Sequence, residues 1–157
     1  MRDQIARAVD WGEAHADFDR AVSGLAPELR GRRVKGLAHS AWEIVEHLRI
    51  AQHDLLDFAR NPKYEEMKWP DDYWPETAEP PSAQAWDESI AAFKRDRAAV
   101  KKLATDARID LDARIPHGTK ATQTYLRAVL LVIDHNAYHV GELVSLRRLL
   151  GAWPPAK

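Results

Sequence analysis

The chain has 157 residues, a formal net charge of −1, seven histidines and no cysteine. This length suits one domain whose core is large enough to fold without disulfide or metal crosslinks, so we expect residues 1–157 to form a single domain. The missing cysteine excludes disulfides, thiolate metal ligands and a cysteine nucleophile. The balanced charge offers no general field for holding nucleic acid, and we expect no nucleic-acid partner.

The first predicted helix covers residues 3–23, where apolar residues recur at intervals of three and four among charged ones. The same N-terminal sequence lacks the apolar run of a signal peptide, and no stretch of about 18 apolar residues occurs in the chain. We therefore expect a cytoplasmic protein that does not enter a membrane.

The second predicted helix covers residues 38–61 and ends at Asn61 and Pro62. The following segment, 62–81, holds five of the nine prolines together with four aromatic residues. The prolines exclude a continuous helix, but the aromatic surface exceeds that of a typical disordered linker. We expect an ordered crossover that packs on the body of the domain.

Two further helices are predicted after this crossover. Ser82 is placed as the N-cap of a helix that runs to about residue 107. The last helix covers residues 122–150, after a loop over 108–120. Its apolar run 128–133 predicts that this helix lies in the middle of the domain.

Four helices without a competing strand pattern predict an all-α fold, a four-helix bundle. Fully extended, the crossover over residues 62–81 would reach about 65 Å, against a bundle height of about 35 Å. It can therefore return the chain to the end where the second helix began, so that the second and third helices run parallel. We expect an up-down-down-up order of the four helices.

His135 and His139 are four residues apart on the last helix, which places both imidazoles on one face. Two rings so arranged can bind one cation, and the alternative is a pair of surface or hydrogen-bonded histidines. Their apolar neighbours indicate low-dielectric surroundings, where imidazoles without partners are costly. A shared metal would satisfy both rings, as would hydrogen bonds to Asp or Glu.

His47 lies at the edge of the apolar stripe of the second helix, where it could complete a three-histidine site or remain a core-edge residue. Three neutral histidines would leave open positions on Zn²⁺, Ni²⁺ or Fe²⁺, because we identify no fourth ligand. Glu142 shares their face and could orient His139, move protons or pair with a surface neighbour. Asp54 lies about 10 Å along the helix from His47, too far to bind the same ion.

The remaining histidines have no comparable spacing. His53 lies on another side of the second helix and is expected in solvent or at the rim of a site. We expect the others to be structural or at the surface: His15, His39 and His117.

Three segments resemble the DinB-like, or damage-inducible, superfamily: HSAWEIVEHLRIAQHDLLDF (39–58), KWPDDYWP (68–75) and DHNAYHVGELVSLRRLLGAWPP (134–155). The chain is most similar to the branch that includes YfiT-like proteins and bacillithiol transferases. The resemblance implies a four-helix bundle that forms a homodimer and holds a metal through His47, His135 and His139. Many relatives have Gln where this chain has Glu142, so the resemblance does not assign a role to this position.

Three functions stay open at this point. The resemblance favours a metal-dependent transferase that joins a low-molecular-weight thiol to a small-molecule electrophile, in a pocket near the crossover. A chain without cysteine fits this function because the sulfur arrives with the cosubstrate. The second function is metal-activated hydrolysis with Glu142 as proton acceptor, and the third is a non-catalytic stress protein that binds a metal and a ligand.

Overall fold

The computed structural model describes residues 1–10 and 12–155. Within these residues it contains no strand and five α-helices, which are α1 (Arg2–Ala8), α2 (Phe18–Val22), α3 (Ala41–Arg60), α4 (Ala83–Thr105) and α5 (Tyr125–Leu149). Short 3₁₀ helices lie at Pro27–Leu29 and Asp71–Tyr73. The predicted all-α fold class is confirmed, and the helices pack together as a bundle.

The three long helices all begin at a hydroxyl side chain that caps the first turn. Ser40, Ser82 and Thr124 each accept a hydrogen bond from the backbone N–H three residues further on, at 3.2, 3.0 and 3.2 Å. Such caps satisfy N–H groups that have no partner within the helix. The helix bounds fall within three residues of the predicted ranges 38–61, 82–107 and 122–150, and Ser82 is the cap that the sequence predicts.

The first predicted helix, over residues 3–23, is wrong as a continuous element. The chain forms α1 and α2 instead, and residues 12–17 between them are not helical. Asp17 begins α2 as its N-cap and accepts a hydrogen bond from the backbone N–H of Arg20 at 2.8 Å. Gly12 disfavours a helix just before this cap. The short helices α1 and α2 together replace the first predicted helix.

Helices α3 and α4 run in the same direction. Trp42, near the start of α3, lines a groove together with Ala85, near the start of α4. Ala59 and Leu103, near the ends of the two helices, line one small cavity. The crossover therefore carries the chain back along α3, and the up-down-down-up order requires such a parallel pair.

Helix α5 runs antiparallel to α3 and has one side exposed to solvent. Ala128, near the start of α5, lines the cavity that also holds Ala59 from the end of α3. Val129 and Val132 are buried against the core, but Leu130 is 48% exposed. The prediction that α5 lies in the middle of the domain is therefore wrong for the side that carries Leu130.

Candidate metal centre

The imidazoles of His47, His135 and His139 meet between α3 and α5. Nε2 of His47 lies 3.0 Å from Nε2 of His135 and 3.2 Å from Nε2 of His139. One ring nitrogen from each histidine lies within 4.8 Å of the other two. His47 and His139 are buried, and His135 is half-buried. The structure thus brings together all three histidines that the sequence selected.

The packing of the two helices directs these side chains inward. His47 lies between Ile44 and Leu48 along α3, and both of these residues are buried in the core. On α5, His139 precedes the buried residues Val140 and Leu143. The apolar stripes that join α3 to α5 therefore carry the imidazoles into the contact between the helices.

Hydrogen bonds fix the tautomer of two of the three rings. Nδ1 of His47 donates to the backbone carbonyl of Tyr73 at 2.8 Å. Nδ1 of His139 donates to Oε2 of Glu142 at 2.8 Å. In a neutral imidazole whose Nδ1 carries the proton, Nε2 presents a lone pair. Two lone pairs therefore point at each other across 3.2 Å, which is unfavourable without a cation or a proton between them.

The ionisation of the centre suits a metal. Burial lowers the pKa of His47 to about 4, and the neighbouring imidazoles add to this effect although the Tyr73 carbonyl opposes it. Burial and the His139 ring likewise lower the pKa of His135 to about 4. Both rings are therefore neutral at pH 7, the form that binds metals.

The spacing of the nitrogens fits a single divalent ion. Two nitrogens bound to one Zn²⁺ at about 2.0–2.1 Å with tetrahedral angles lie about 3.3 Å apart. The observed Nε2 separations of 3.0 and 3.2 Å are close to this value. His47, His135 and His139 could therefore hold a metal ion, and each of the orienting bonds to Tyr73 and Glu142 is of the kind that positions metal ligands.

Glu142 lies beside His139 and accepts a hydrogen bond from its Nδ1. The hydrogen bond from His139 lowers the pKa of Glu142, although partial burial opposes this effect. Glu142 is therefore a carboxylate at neutral pH. Of the roles that the sequence left open for this residue, its geometry fits that of orienting His139.

The aromatic ring of Trp74, on the crossover, covers the centre. It stacks between two imidazoles, with its centroid 3.8 Å from that of His47 and 3.8 Å from that of His39. Nδ1 of His39 lies 3.8 Å from Oε1 of Glu142. No local pattern indicates these neighbours, because the contacts form only when the crossover folds back over α3.

Asp54 does not take part in the cluster of histidines. It is 8% exposed, and its two carboxylate oxygens accept hydrogen bonds from the hydroxyls of Tyr64 and Tyr73, at 2.8 and 2.7 Å. The sequence predicts that Asp54 does not bind the ion and at most supports a ligand from behind or lies at the rim of the site. Its contacts show how it reaches the centre indirectly, through Tyr73.

The remaining histidines lie away from the cluster. Nδ1 of His53 lies 2.8 Å from Oδ2 of Asp96, and the His53 side chain is 61% exposed. His15 is exposed, and the His117 ring packs edge-on against Phe58 at a centroid distance of 5.2 Å. His53 is therefore exposed, as the sequence predicts, and its substitution would leave the cluster of histidines unchanged.

The fold and the cluster together define a class of protein, a helical bundle with three converging histidines between two of its helices. The chain belongs to the DinB superfamily, whose family model matches residues 11–143. Neither a curated protein nor a solved structure matches the chain. The superfamily resemblance is confirmed, while the branch with YfiT-like proteins and bacillithiol transferases stays a prediction. Among the described residues, no helix has the length and apolar character needed to cross a membrane.

Proposed function

We propose that the protein is a metal-dependent transferase that acts on a low-molecular-weight thiol, with His47, His135 and His139 as the metal ligands. The observation that carries this proposal is the convergence of three Nε2 atoms, two of them with lone pairs fixed by hydrogen bonds at Nδ1. Zn²⁺, Ni²⁺ and Fe²⁺ all accept imidazole ligands. Three protein ligands are also the number in catalytic zinc sites, which leave a position open.

When bound, a divalent ion supplies a positive charge that lowers the pKa of a coordinated thiol. The thiol proton would pass to solvent as the sulfur forms its bond to an electrophilic carbon of the second substrate, and the leaving group would depart with its electron pair. The chain has no cysteine, so the sulfur belongs to the cosubstrate.

The residues around the three histidines cover one side of the centre and leave another side more exposed to solvent. Trp74 covers one side and shields His47 from water. Tyr138 packs edge-on against His139 and is 70% exposed, while His135 is half-buried. We propose that a small-molecule substrate approaches from the side of His135 and Tyr138. The cytoplasm is the proposed compartment, because low-molecular-weight thiols are kept reduced there.

The geometry supports hydrolysis less well. A general base needs a pKa near the working pH, whereas the hydrogen bond from His139 lowers the pKa of Glu142. The carboxylate is also engaged with His139 through Oε2. The third function, binding without catalysis, shares the same metal ligands and differs only in turnover.

An assay of thiol conjugation tests the proposed activity. Protein loaded with Zn²⁺, Ni²⁺ or Fe²⁺ is mixed with a thiol panel of bacillithiol, mycothiol and glutathione and with a model electrophile. We expect conjugation that is lost in His139→Ala and retained in His53→Ala, whose side chain lies outside the cluster. Equal rates for the unsubstituted chain and His139→Ala would contradict a metal-dependent transferase, and bound metal without turnover would favour the binding protein.

We also propose that the partner of this chain is a second copy of itself, joined through the exposed apolar side of α5. Leu130 and Leu131 line an open groove together with Arg127 and Asp134. In an antiparallel two-fold pairing centred between the two leucines, Arg127 faces the partner's Asp134. An apolar centre with opposite charges on either side is complementary to itself, which favours a homodimer over an unrelated partner.

A further inference from the structure

The buried carboxylate of Asp54 connects α3 to the crossover through two hydrogen bonds. It is 8% exposed, and burying a charge is costly unless hydrogen bonds compensate for it. Here both oxygens accept hydrogen bonds from hydroxyl groups of the crossover, one from Tyr64 and one from Tyr73, at 2.8 and 2.7 Å. Bonds to an ionised acceptor are stronger than neutral ones, so Asp54 anchors the crossover at two points.

Tyr73 is attached to α3 at both of its ends. Its hydroxyl donates to Asp54, and its backbone carbonyl accepts from Nδ1 of His47 at 2.8 Å. The next residue, Trp74, stacks on the His47 ring with an interplanar angle of 3°. The position of the Tyr73 side chain therefore determines where its carbonyl and the Trp74 ring meet His47.

Tyr64 also donates a hydrogen bond to the Asp54 carboxylate, but unlike Tyr73 it makes no hydrogen bond to His47. Its hydroxyl donates to Asp54, and its ring packs edge-on against Phe58 at a centroid distance of 5.2 Å. Burial raises the pKa of both tyrosine hydroxyls, and the Asp54 charge adds to this effect. Both hydroxyls are therefore donors at neutral pH, and the two tyrosines form a matched pair.

We propose that Asp54 is a positioning residue for the metal centre, acting through Tyr73 on His47. By holding the Tyr73 hydroxyl, Asp54 keeps the Tyr73 carbonyl on Nδ1 of His47, so that Nε2 presents its lone pair to the other two imidazoles. The proposal rests on the proposed function, because it concerns one of the three histidines assigned there as ligands. Asp54 itself touches neither the metal nor the substrate.

The test compares Tyr73→Phe with Tyr64→Phe, since each removes one hydroxyl from the same carboxylate. Zn²⁺ affinity is measured by competition with a chromophoric chelator. We expect Tyr73→Phe to weaken Zn²⁺ binding about tenfold, the size of effect typical of residues that orient a ligand. Tyr64→Phe should keep the affinity of the unsubstituted chain, and Asp54→Ala should lose at least as much as Tyr73→Phe. Equal affinities for the two tyrosine variants would overturn the proposal.

A second readout needs no metal. In metal-free protein labelled with ¹⁵N-histidine, NMR measures how fast the Nδ1 proton of His47 exchanges with water. We expect faster exchange in Tyr73→Phe and unchanged exchange in Tyr64→Phe, whereas a general loosening of the crossover would affect both alike. If the unsubstituted chain binds no metal, the proposed function fails, and this exchange rate still decides whether Asp54 positions His47.

Discussion

Glu142 and Tyr73 each orient one histidine of the cluster through a hydrogen bond. Each accepts a hydrogen bond from Nδ1 of an imidazole, Glu142 from His139 and Tyr73 from His47. The proton on Nδ1 leaves Nε2 free to act as a ligand, and the hydrogen bond fixes the orientation of the ring. One acceptor is a side chain and the other is a backbone carbonyl, so only the first can be removed by substitution.

Substitution of Glu142 separates its orienting role from a role as base. We expect Glu142→Ala to weaken Zn²⁺ binding about tenfold, because the His139 ring loses its acceptor. Glu142→Gln should keep most of the affinity, since its amide oxygen can still accept a hydrogen bond from Nδ1 of His139. Calorimetric titration of both variants measures the difference. Unchanged affinity in Glu142→Ala would contradict the orienting role, and full affinity with lost turnover in Glu142→Gln would indicate proton transfer.

Only part of the candidate site could be predicted from the sequence. His135 and His139 could be predicted as a pair, because a helix places residues four apart on one face whatever surrounds it. The link to His47 needed either the family resemblance or the packing of α3 on α5. The contacts of Tyr73 and Trp74 with His47 could not be predicted, because the crossover has no periodicity from which its path could be derived.

At the scale of the elements, the bounds of the three long helices could be predicted from apolar periodicity and, for α4, from its Ser82 cap, whereas the bounds of α1 and α2 could not. Ser40 forms a capping box with Glu43, a signal contained within four residues of sequence. The apolar periodicity over residues 3–23 predicts one helix, but it does not reveal that Asp17 caps a new helix within this range. Short helices depend on tertiary packing for their stability, so their bounds are harder to derive from local pattern.

The short helix α2 is fixed to the end of α5 by a buried arginine. Arg147 is 1% exposed, and its Nη1 donates to the carbonyls of Ala21 and Ser23 at 2.6 and 2.8 Å. Its Nε donates to the carbonyl of Ala152 at 3.1 Å. One side chain therefore satisfies carbonyls at the end of α2 and just after α5.

Removal of this guanidinium should destabilise the protein. A buried polar group left without its partner costs about 1–3 kcal/mol, and Arg147→Met leaves several carbonyls in that state. We expect the free energy of unfolding to fall by about 2–4 kcal/mol, as measured by urea denaturation. Arg148→Met is the matched control, because Arg148 is exposed. Equal midpoints for the two variants would contradict the role of Arg147 as a structural link.

At the scale of the whole molecule, the exposed side of α5 should determine its association. Leu130 is 48% exposed at the centre of the proposed dimer contact, and Leu149 is 62% exposed near the end of the helix. We expect the chain to sediment as a dimer and Leu130→Glu to sediment as a monomer, whereas Leu149→Glu stays dimeric. A monomeric unsubstituted chain would contradict the proposed homodimer.

The charges beside these leucines test the antiparallel arrangement itself. Arg127→Asp should weaken the dimer by placing a carboxylate opposite the partner's Asp134. The double variant Arg127→Asp/Asp134→Arg should restore it, because the pairing is exchanged rather than lost. Sedimentation equilibrium measures both dissociation constants, and an additive loss in the double variant would exclude this register.

Titration of the metal-free chain with Zn²⁺ tests most directly whether α3 and α5 together form a metal centre. We expect one ion for each chain, and we expect tight binding to be lost when any ligand is removed, as in His47→Ala, His135→Ala or His139→Ala. His53→Ala should bind like the unsubstituted chain, because His53 pairs with Asp96 outside the cluster. Zn²⁺ binding that survives all three ligand substitutions, or an unsubstituted chain that takes up no ion, would contradict the three-histidine centre.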